Sequence, residues 1–448
     1  VVPALEPADF APGAEFLLLG RRDAVEGAGL FHKARGKGGE GGLREERSRQ
    51  DQKNRRDCTR GFPHVCYYTK PCMEKQERAS TIVFTGGGTG GHVYPGIAVI
   101  QVLRRKWKGS FLWVGSRSGM ERAIVEAAGI PFAGIPAGKL RRYVSFQNLL
   151  DVFRVARAVL ASLRLFRRVR PVLVFSKGGY VSFPPVFAAR LLGIPVLAHE
   201  SDADPGLATL LSAPFAHRIL VPYPESPEHF PSRFRKKLIV TGNPVREDIF
   251  SGRAEEGLRI AGFPGDRPVL LVLGGSQGAR EINSLVREAL DELLAFCRVV
   301  HQMGEGDYRP LEKEGYFARP YFSAELPHLL AASSAVVSRA GAGSLWEFLS
   351  LGLPALLLPL QGSGTRGDQV RNAELFERLG AARVFRRGGG EDGEERGVES
   401  GAFVREVRRI LEPDTAAGMR EAMARVSDGG AAERIAGLIL DSVTKEAQ

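Results

Sequence analysis

Two glycine-rich turns constrain the fold of this 448-residue chain more than any other feature. The first, Thr85–Gly91 (TGGGTGG), follows the apolar run Thr81–Phe84 and ends at His92. The second, Gly274–Ala279 (GGSQGA), follows Pro268–Leu273. Each run reads as a buried strand, and each turn leads into a segment with helical spacing of apolar residues. Glycine lets a backbone approach a ligand closely, and a helix N-terminus offers free N–H groups and roughly half a positive charge. Two such units in two halves predict an α/β chain of two similar domains, with phosphorylated ligands held in a cleft between them.

The pattern between the turns supports this. From Ser80 onward, β-branched runs alternate with longer helical patterns, the signature of parallel sheets with right-handed crossovers. Strands are expected at Thr81–Thr85, Phe111–Val114, Val172–Phe175, Pro195–His199 and Arg218–Val221. Thr241-Gly242-Asn243-Pro244 reads as a turn and a domain boundary, because proline disfavours helix in the residue before it. The pattern restarts with strands at Pro268–Leu273, Arg298–Gln302, Ala335–Ser338 and Pro354–Leu358, and a helix over Ala279–Leu294. Gly388–Ser400 reads as an acidic, glycine-rich solvated loop. The expected layout is a leader over 1–79, a first Rossmann-like domain over 80–243 and a second over 244–425. A final helix, 426–448, is expected to pack back on the first domain.

Composition narrows the class. A hydrophobic share of 44% and a charged share of 25% are those of a soluble globular chain, and no apolar stretch nears the roughly 20 residues needed to span a bilayer. The net charge of +11 suits a phosphate-rich partner or an anionic membrane surface. Neither an aromatic-interleaved RNA-binding signature nor a helix-turn-helix competes with the α/β pattern, so no nucleic acid partner is expected. Cys58, Cys66 and Cys72 lie in the leader and only Cys297 in the body, which points to a reducing compartment. The leader is rich in Gly, Arg and Glu, lacks periodicity and has no methionine before Met73. It is expected to be disordered or untranslated, with synthesis starting at Met73. A zinc site from Cys58, His64, Cys66 and Cys72 lacks the usual CxxC pair.

Gly86-x-Gly88-x-x-Gly91 formally matches a dinucleotide fingerprint. That fingerprint needs an acid near the end of the second strand to hold a ribose. Here the strand ends Trp113-Val114-Gly115-Ser116-Arg117, without one.

Seven blocks then occur in one order: Gly86–Pro95 (GGGTGGHVYP), Gly178–Pro184 (GGYVSFP), His199–Gly206 (HESDADPG), Gly242–Arg246 (GNPVR), Gly274–Ala279 (GGSQGA), Ser338–Glu347 (SRAGAGSLWE) and Asp368–Ala373 (DQVRNA). Together they resemble the MurG family of peptidoglycan N-acetylglucosaminyltransferases, from about Ser80 to the C-terminus. The resemblance implies the GT-B glycosyltransferase architecture of two Rossmann-like domains. It implies transfer of GlcNAc from UDP-GlcNAc to the 4-hydroxyl of MurNAc-pentapeptide-pyrophosphoryl-undecaprenol, turning lipid I into lipid II with inversion. A UDP-GlcNAc 2-epimerase, a transferase using another lipid acceptor and a non-enzymatic nucleotide-sugar binder are the rival readings.

The resemblance also implies roles for particular residues. Gly87, Gly88, Thr89, Gly90, Gly91, Gly178, Gly179 and Tyr180 would face the acceptor and its pyrophosphate. His92 would sit beside them as general base, as an acceptor or phosphate contact, or as a loop-shaping residue. A free histidine pKa of about 6.5 suits a base. Asp202, Arg246, Ser276, Gln277, Ser323, Glu347, Gln369 and Asn372 would bind UDP-GlcNAc: Ser276, Gln277 and Arg246 the phosphates, Ser323 the uracil, and Glu347 the ribose. Gln369 and Asn372 would read sugar hydroxyls, since amides donate and accept at once. The block often written HEQN stands here as His199-Glu200-Ser201-Asp202, an acid in place of an amide. Asp202-Ala203-Asp204 spells DxD, but the surrounding blocks imply no protein metal site and no required cofactor, while Mg²⁺ is compatible with the pyrophosphates. The implied setting is peripheral, on the cytoplasmic face of the inner membrane, with other cell-wall enzymes as admissible partners. The basic and apolar residues Lys139–Tyr143, Phe146, Leu149, Leu150 and Phe153 are the expected membrane patch.

Intact-mass measurement of the native protein tests the start site. The mass of residues 73–448 is expected, and a mass that includes the leader would refute it.

Overall fold

The computed structural model describes residues 80–136, 146–275, 278–360, 367–386 and 393–445, with backbone alone for 146–152, 393–398 and 445. The leader, with its cysteines, His64 and Met73, lies outside the described residues, as do Ser276, Gln277 and 137–145.

The first lobe is built on a seven-stranded sheet: β1 (Thr81–Thr85), β2 (Ser110–Ser116), β3 (Phe132–Ile135), β4 (Leu173–Ser176), β5 (Val196–His199), β6 (Arg218–Val221) and β7 (Leu238–Val240). Their order across the sheet is β3-β2-β1-β4-β5-β6-β7. The second lobe carries β8 (Val269–Leu273), β9 (Arg298–Gln302), β10 (Tyr316–Arg319), β11 (Ala335–Ser338), β12 (Ala355–Leu357) and β13 (Arg383–Val384), in the order β10-β9-β8-β11-β12-β13. All pairings are parallel. The α/β expectation of two Rossmann-like domains is met. In each sheet the strand order reverses next to the first strand, between β1 and β4 and between β8 and β11. The turns leaving those neighbours therefore meet at one crevice, the place where ligands settle in open parallel sheets.

The central strands are apolar throughout because both faces are covered: Ile82, Val83 and Phe84 are wholly buried, as are Leu270, Leu271 and Val272. The strands that pattern reading leaves out are β3, β7, β10 and β13, which are the four sheet edges. They are short and partly exposed, so they lack a continuous apolar run. The helix expected over Ala279–Leu294 divides into Arg280–Glu288 and Leu290–Leu294. The loop expected over Gly388–Ser400 is helical from Gly393, as the start of helix Gly393–Leu411. Phe403, Val404, Val407 and Ile410 recur on one face and are buried in the second lobe, so they anchor that helix despite its acidic, glycine-rich beginning.

The chain passes between the lobes at Thr241–Val245 and again before the final helix, Ala431–Lys445. That helix lies on the first sheet, with Ala432, Ile435, Ala436 and Ile439 buried among Ile82, Phe84, Val99 and Leu103. Arg434 donates from Nε and Nη2 to the Thr241 carbonyl at 3.1 and 3.0 Å. A second tie is aromatic: Trp346 Nε1 donates to the Tyr223 hydroxyl at 2.9 Å, and both rings are buried.

Candidate active site

In the first lobe, β1 ends at Thr85, whose Oγ1 donates to the Val114 carbonyl at 2.9 Å. The chain then crosses Gly86–Thr89, makes a tight turn over Gly90–His92 and enters helix Tyr94–Lys106, with Pro95 in its first turn. The turn after β4, Lys177–Tyr180, is held beside it by the Lys177 N–H donating to the Thr85 carbonyl at 2.7 Å. Gly179 has φ +80°, and a Cβ there would lie 2.2 Å from the Gly87 carbonyl oxygen and 3.2 Å from His92 Cδ2. A Cβ on Gly88 would lie 3.0 Å from the Tyr180 ring, and one on Gly178 would lie 3.8 Å from His92 Cε1. The expected acceptor-side residues Gly87, Gly88, Gly178, Gly179, Tyr180 and His92 are thus brought to one place. Gly88 and Thr89 are exposed on its rim, with Gly90 and Gly91 half-buried beside them.

One acid beneath this turn escapes pattern reading. Glu121 is wholly buried; Oε1 accepts the Ser116 N–H at 2.7 Å and Oε2 accepts the Gly88 N–H at 3.4 Å. Cβ atoms on Gly87 and Gly119 would lie 2.6 and 2.1 Å from its carboxylate. The signal for Glu121 was Gly119, a glycine two positions before an acid that opens a helix.

In the second lobe, Gly274 and Gly275 continue β8, and Ser276 and Gln277 follow outside the described residues. Gln302, at the end of β9, donates from Nε2 to the Gly275 carbonyl at 3.1 Å and accepts the Phe322 N–H at 2.9 Å. One amide therefore fixes the glycine turn relative to Ser323, which is exposed at the head of helix Leu326–Ala332. Sequence reading missed Gln302 because its role depends on three strand ends meeting.

Helix Ala342–Leu351 starts at the second switch point and carries Glu347. Glu347 accepts a hydrogen bond from Arg246 Nε at 3.2 Å. Burial pushes its carboxyl above the usual range, and the Arg246 guanidinium opposes that rise. Arg246 also pairs with Asp248 at 3.3 Å and lies over the Tyr94 ring at 5.2 Å. Arg246 and Glu347, expected at phosphate and ribose respectively, are partners of one another here. Across the lobes, a Cβ on Gly343 would lie 3.8 Å from Gly91 Cα, so the start of this helix faces the first glycine turn.

Asn372, expected at the donor sugar, stands at the joint between the lobes. It is 1% exposed; Oδ1 accepts the Ala203 N–H at 3.0 Å, while Nδ2 donates to Asp202 Oδ1 at 3.1 Å and to the Ala340 carbonyl at 3.2 Å. Through these bonds the amide ties the Asp202–Ala203 segment of the first lobe to Ala340, just after β11, in the second. Asp202 is drawn into the same joint. Glu200 shapes the Asp202 segment: Oε1 accepts the Ser201 and Asp202 N–H groups at 2.8 and 3.2 Å, and Oε2 accepts the Gly206 N–H at 2.9 Å and Thr209 Oγ1 at 2.5 Å. Asp204 pairs with His229 at 2.6 Å and with Arg371. Gln369 stands half-exposed at the start of helix Asp368–Arg378, where Oε1 accepts the Leu360 N–H at 2.9 Å. Among the described residues no group of three or more His, Cys, Asp or Glu side chains is placed to hold a metal ion. Of the expected membrane patch, Lys139–Tyr143 and the side chains of Phe146, Leu149 and Leu150 lie outside the described residues, and Phe153 is 62% exposed.

Gly179→Ala is expected to destabilise the protein by more than ~3 kcal/mol in urea unfolding, since it adds steric overlap to an unfavourable backbone conformation. Gly193→Ala is the control, with φ +71° but nothing within 4 Å of an added Cβ, and should cost about 1–2 kcal/mol. Equal losses would show that the two turns separate without penalty.

Residues 82–221 match the glycosyltransferase family 28 N-terminal domain, and residues 269–388 match the glycosyltransferase family 28 C-terminal domain. The chain is 42% identical over 383 residues to the UDP-N-acetylglucosamine–N-acetylmuramyl-(pentapeptide) pyrophosphoryl-undecaprenol N-acetylglucosamine transferase of Treponema denticola, covering 80% of this chain and 96% of that protein. It is 46% identical over 308 residues to the enzyme of the same name from Legionella pneumophila (strain Lens), covering 68% of this chain and 84% of that protein. The crystal structure of Acinetobacter baumannii MurG superposes with a TM-score of 0.61 at 22% identity, covering 81% of this chain and 99% of that one, a likeness of fold.

Proposed function

We infer the reaction from the family to which this chain belongs, the UDP-GlcNAc:MurNAc-pentapeptide-pyrophosphoryl-undecaprenol GlcNAc transferases, the MurG family within glycosyltransferase family 28. The chain transfers GlcNAc from UDP-GlcNAc to lipid I and releases lipid II and UDP. The observation that carries this is 42% identity across 96% of a curated transferase, in a chain whose glycine turns stand at both switch points.

The acceptor pyrophosphate is assigned to the Gly87–Gly91 and Gly178–Tyr180 turns, through the backbone N–H groups other than those of Gly88 and Gly178, which Glu121 and Ser176 accept. A lattice of backbone donors needs no rearrangement when charge arrives. His92, packed against Gly178 and Gly179, takes the proton from the 4-hydroxyl of the acceptor sugar as its oxygen attacks the anomeric carbon. The bond from that carbon to the phosphate oxygen breaks with inversion, and UDP leaves with the electron pair. UDP is assigned to the Gly274–Ala279 turn, including Ser276 and Gln277, with uracil at Ser323 and ribose at Glu347. Arg246 balances Glu347 in this state, and turning toward the phosphates would require exchanging one anionic partner for another. Gln369, Asn372 and Asp202 are assigned to the donor sugar at the joint between the lobes. Holding both reactants in line supplies roughly 7–11 kcal/mol of the barrier.

The acceptor is lipid-linked, and among the described residues no helix is long and apolar enough to cross a membrane. We propose peripheral attachment to the cytoplasmic face through the 139–153 patch, aided by the net charge of +11. Joint replacement of Arg141, Arg142 and Phe146 should weaken binding to anionic vesicles, and unchanged binding would mean that another face attaches.

The deciding experiment incubates the purified protein with UDP-GlcNAc and lipid I. Lipid II is the expected product; ManNAc would instead identify an epimerase, and binding without turnover a nucleotide-sugar binder. His92→Ala should lower kcat by about 10²–10⁴-fold while UDP-GlcNAc still binds. Near-normal turnover would remove His92 as the base.

A further inference from the structure

Lys177 is buried directly before the Gly178–Tyr180 turn, at 1% exposure. A buried ammonium is costly unless its partners are well placed. Its Nζ donates to His199 Nδ1 at 2.9 Å and to Ser201 Oγ. Both arms continue to the segment that joins the lobes. His199 Nε2 donates to the Gly242 carbonyl at 3.1 Å, and Ser201 Oγ donates to Asn243 Oδ1 at 3.1 Å. Nε2 therefore carries the ring proton and Nδ1 is left to accept from Lys177. Burial and the Lys177 charge hold His199 well below its ordinary pKa, which keeps this tautomer neutral.

The backbone of Lys177 supplies a third arm. Its N–H is bound to Thr85, and a Cβ on Gly86 would lie 3.0 Å from Lys177 Cβ. The joint itself is tightly packed. Gly242 has φ +79°, and a Cβ there would lie 3.0 Å from Ala431 Cβ and 3.2 Å from the Trp346 ring of the second lobe. Lys177 thus meets both acceptor-side turns and, through one intermediate on each arm, two successive residues of the lobe joint.

We propose that Lys177 is a positioning residue for the acceptor, whose ammonium locks the two glycine turns and His92 in register with the joint between the lobes. It touches no substrate and acts through His199 and Ser201. The inference rests on the assignment of those turns to the acceptor.

The charged and titratable groups around Lys177 are His199, Glu200 and Asp202 on the 199–202 segment, with His92 near His199 on the first turn. Burial lowers the Lys177 pKa to about 8, and Glu200 and Asp202 oppose that shift. The lock is therefore charged at pH 7 and neutral by pH 9.5. Stability moves the other way. Between about pH 8 and the unfolded lysine value of about 10.4, the folded state binds fewer protons, so this group adds stability as pH rises. A loss of activity over that interval cannot come from unfolding at this lysine.

The test measures kcat/KM for lipid I at saturating UDP-GlcNAc, and Kd for UDP, from pH 6.5 to 9.5. It compares the wild type with Lys177→Met, Lys177→Arg and Ser201→Ala. Lys177→Met should lose about 10- to 100-fold in acceptor kcat/KM at pH 7, the scale on which a misplacement near 1 Å acts. Its Kd for UDP should stay within about twofold, because the donor lobe is intact. The gap between wild type and Lys177→Met should narrow as pH passes 8, whereas Lys177→Arg, with its permanent charge, should keep its activity relative to Lys177→Met up to pH 9.5. Unchanged acceptor kcat/KM in Lys177→Met, a gap that does not vary with pH, or an equal loss in UDP affinity would each overturn the proposal. If Lys177→Met does not fold, Ser201→Ala removes one arm and keeps the charge; it should lose acceptor kcat/KM without losing UDP affinity, and wild-type kinetics there would overturn the proposal. A wild-type enzyme that makes no lipid II would instead defeat the proposed function.

Discussion

Two backbones pass within contact distance at Gly87 and Gly179, and the first-lobe half of the candidate site depends on that approach. A Cβ on Gly179 would lie 2.2 Å from the Gly87 carbonyl oxygen, so no other residue allows the turns after β1 and β4 to close on His92. The approach follows from sheet topology. Only where the strand order reverses do two turns leave neighbouring parallel strands toward the same edge without a crossover helix between them.

The same rule acts in the second lobe, but a different chemistry fixes the geometry. There the turn after β8 is tied by the Gln302 amide, and the turn after β11 opens directly into the helix bearing Glu347. Buried polar groups do the remaining alignment. Glu121 accepts two N–H donors and Glu200 three N–H donors and one O–H, which offsets the cost of burying a carboxylate. The Ala203 N–H to Asn372 bond and the Trp346–Tyr223 pair hold the lobes to one another through buried hydrogen bonds. Such groups are expensive to leave unpaired, so the lobe joint favours discrete arrangements over gradual sliding.

Legibility in the sequence followed burial. Central strands covered on both faces announce themselves as apolar runs, and β1, β8 and β11 stand where pattern reading puts them. The edges β3, β7, β10 and β13 were silent because a half-exposed strand of two to four residues carries no distinct period. The acidic stretch before Ser400 looked like a loop because composition outweighed the apolar spacing that begins at Phe403. His92, Gly87, Gly88, Gly178, Gly179 and Tyr180 were legible as a group through the resemblance of their two blocks to the family, while the glycine run alone marked only a turn that needs close backbone approach.

By itself the sequence determined two parallel α/β halves, glycine turns after their first strands and the family to which those turns belong. It could do so because strand burial and close backbone approach each demand particular residue types in a local order. Only the tertiary structure decided that Asn372 joins the lobes, that Arg246 and Glu347 face each other and that Glu121 lies beneath the first turn. Those partners are separated by 33 to 170 residues along the chain, and hydrogen-bond geometry across such distances leaves no period or spacing in the sequence.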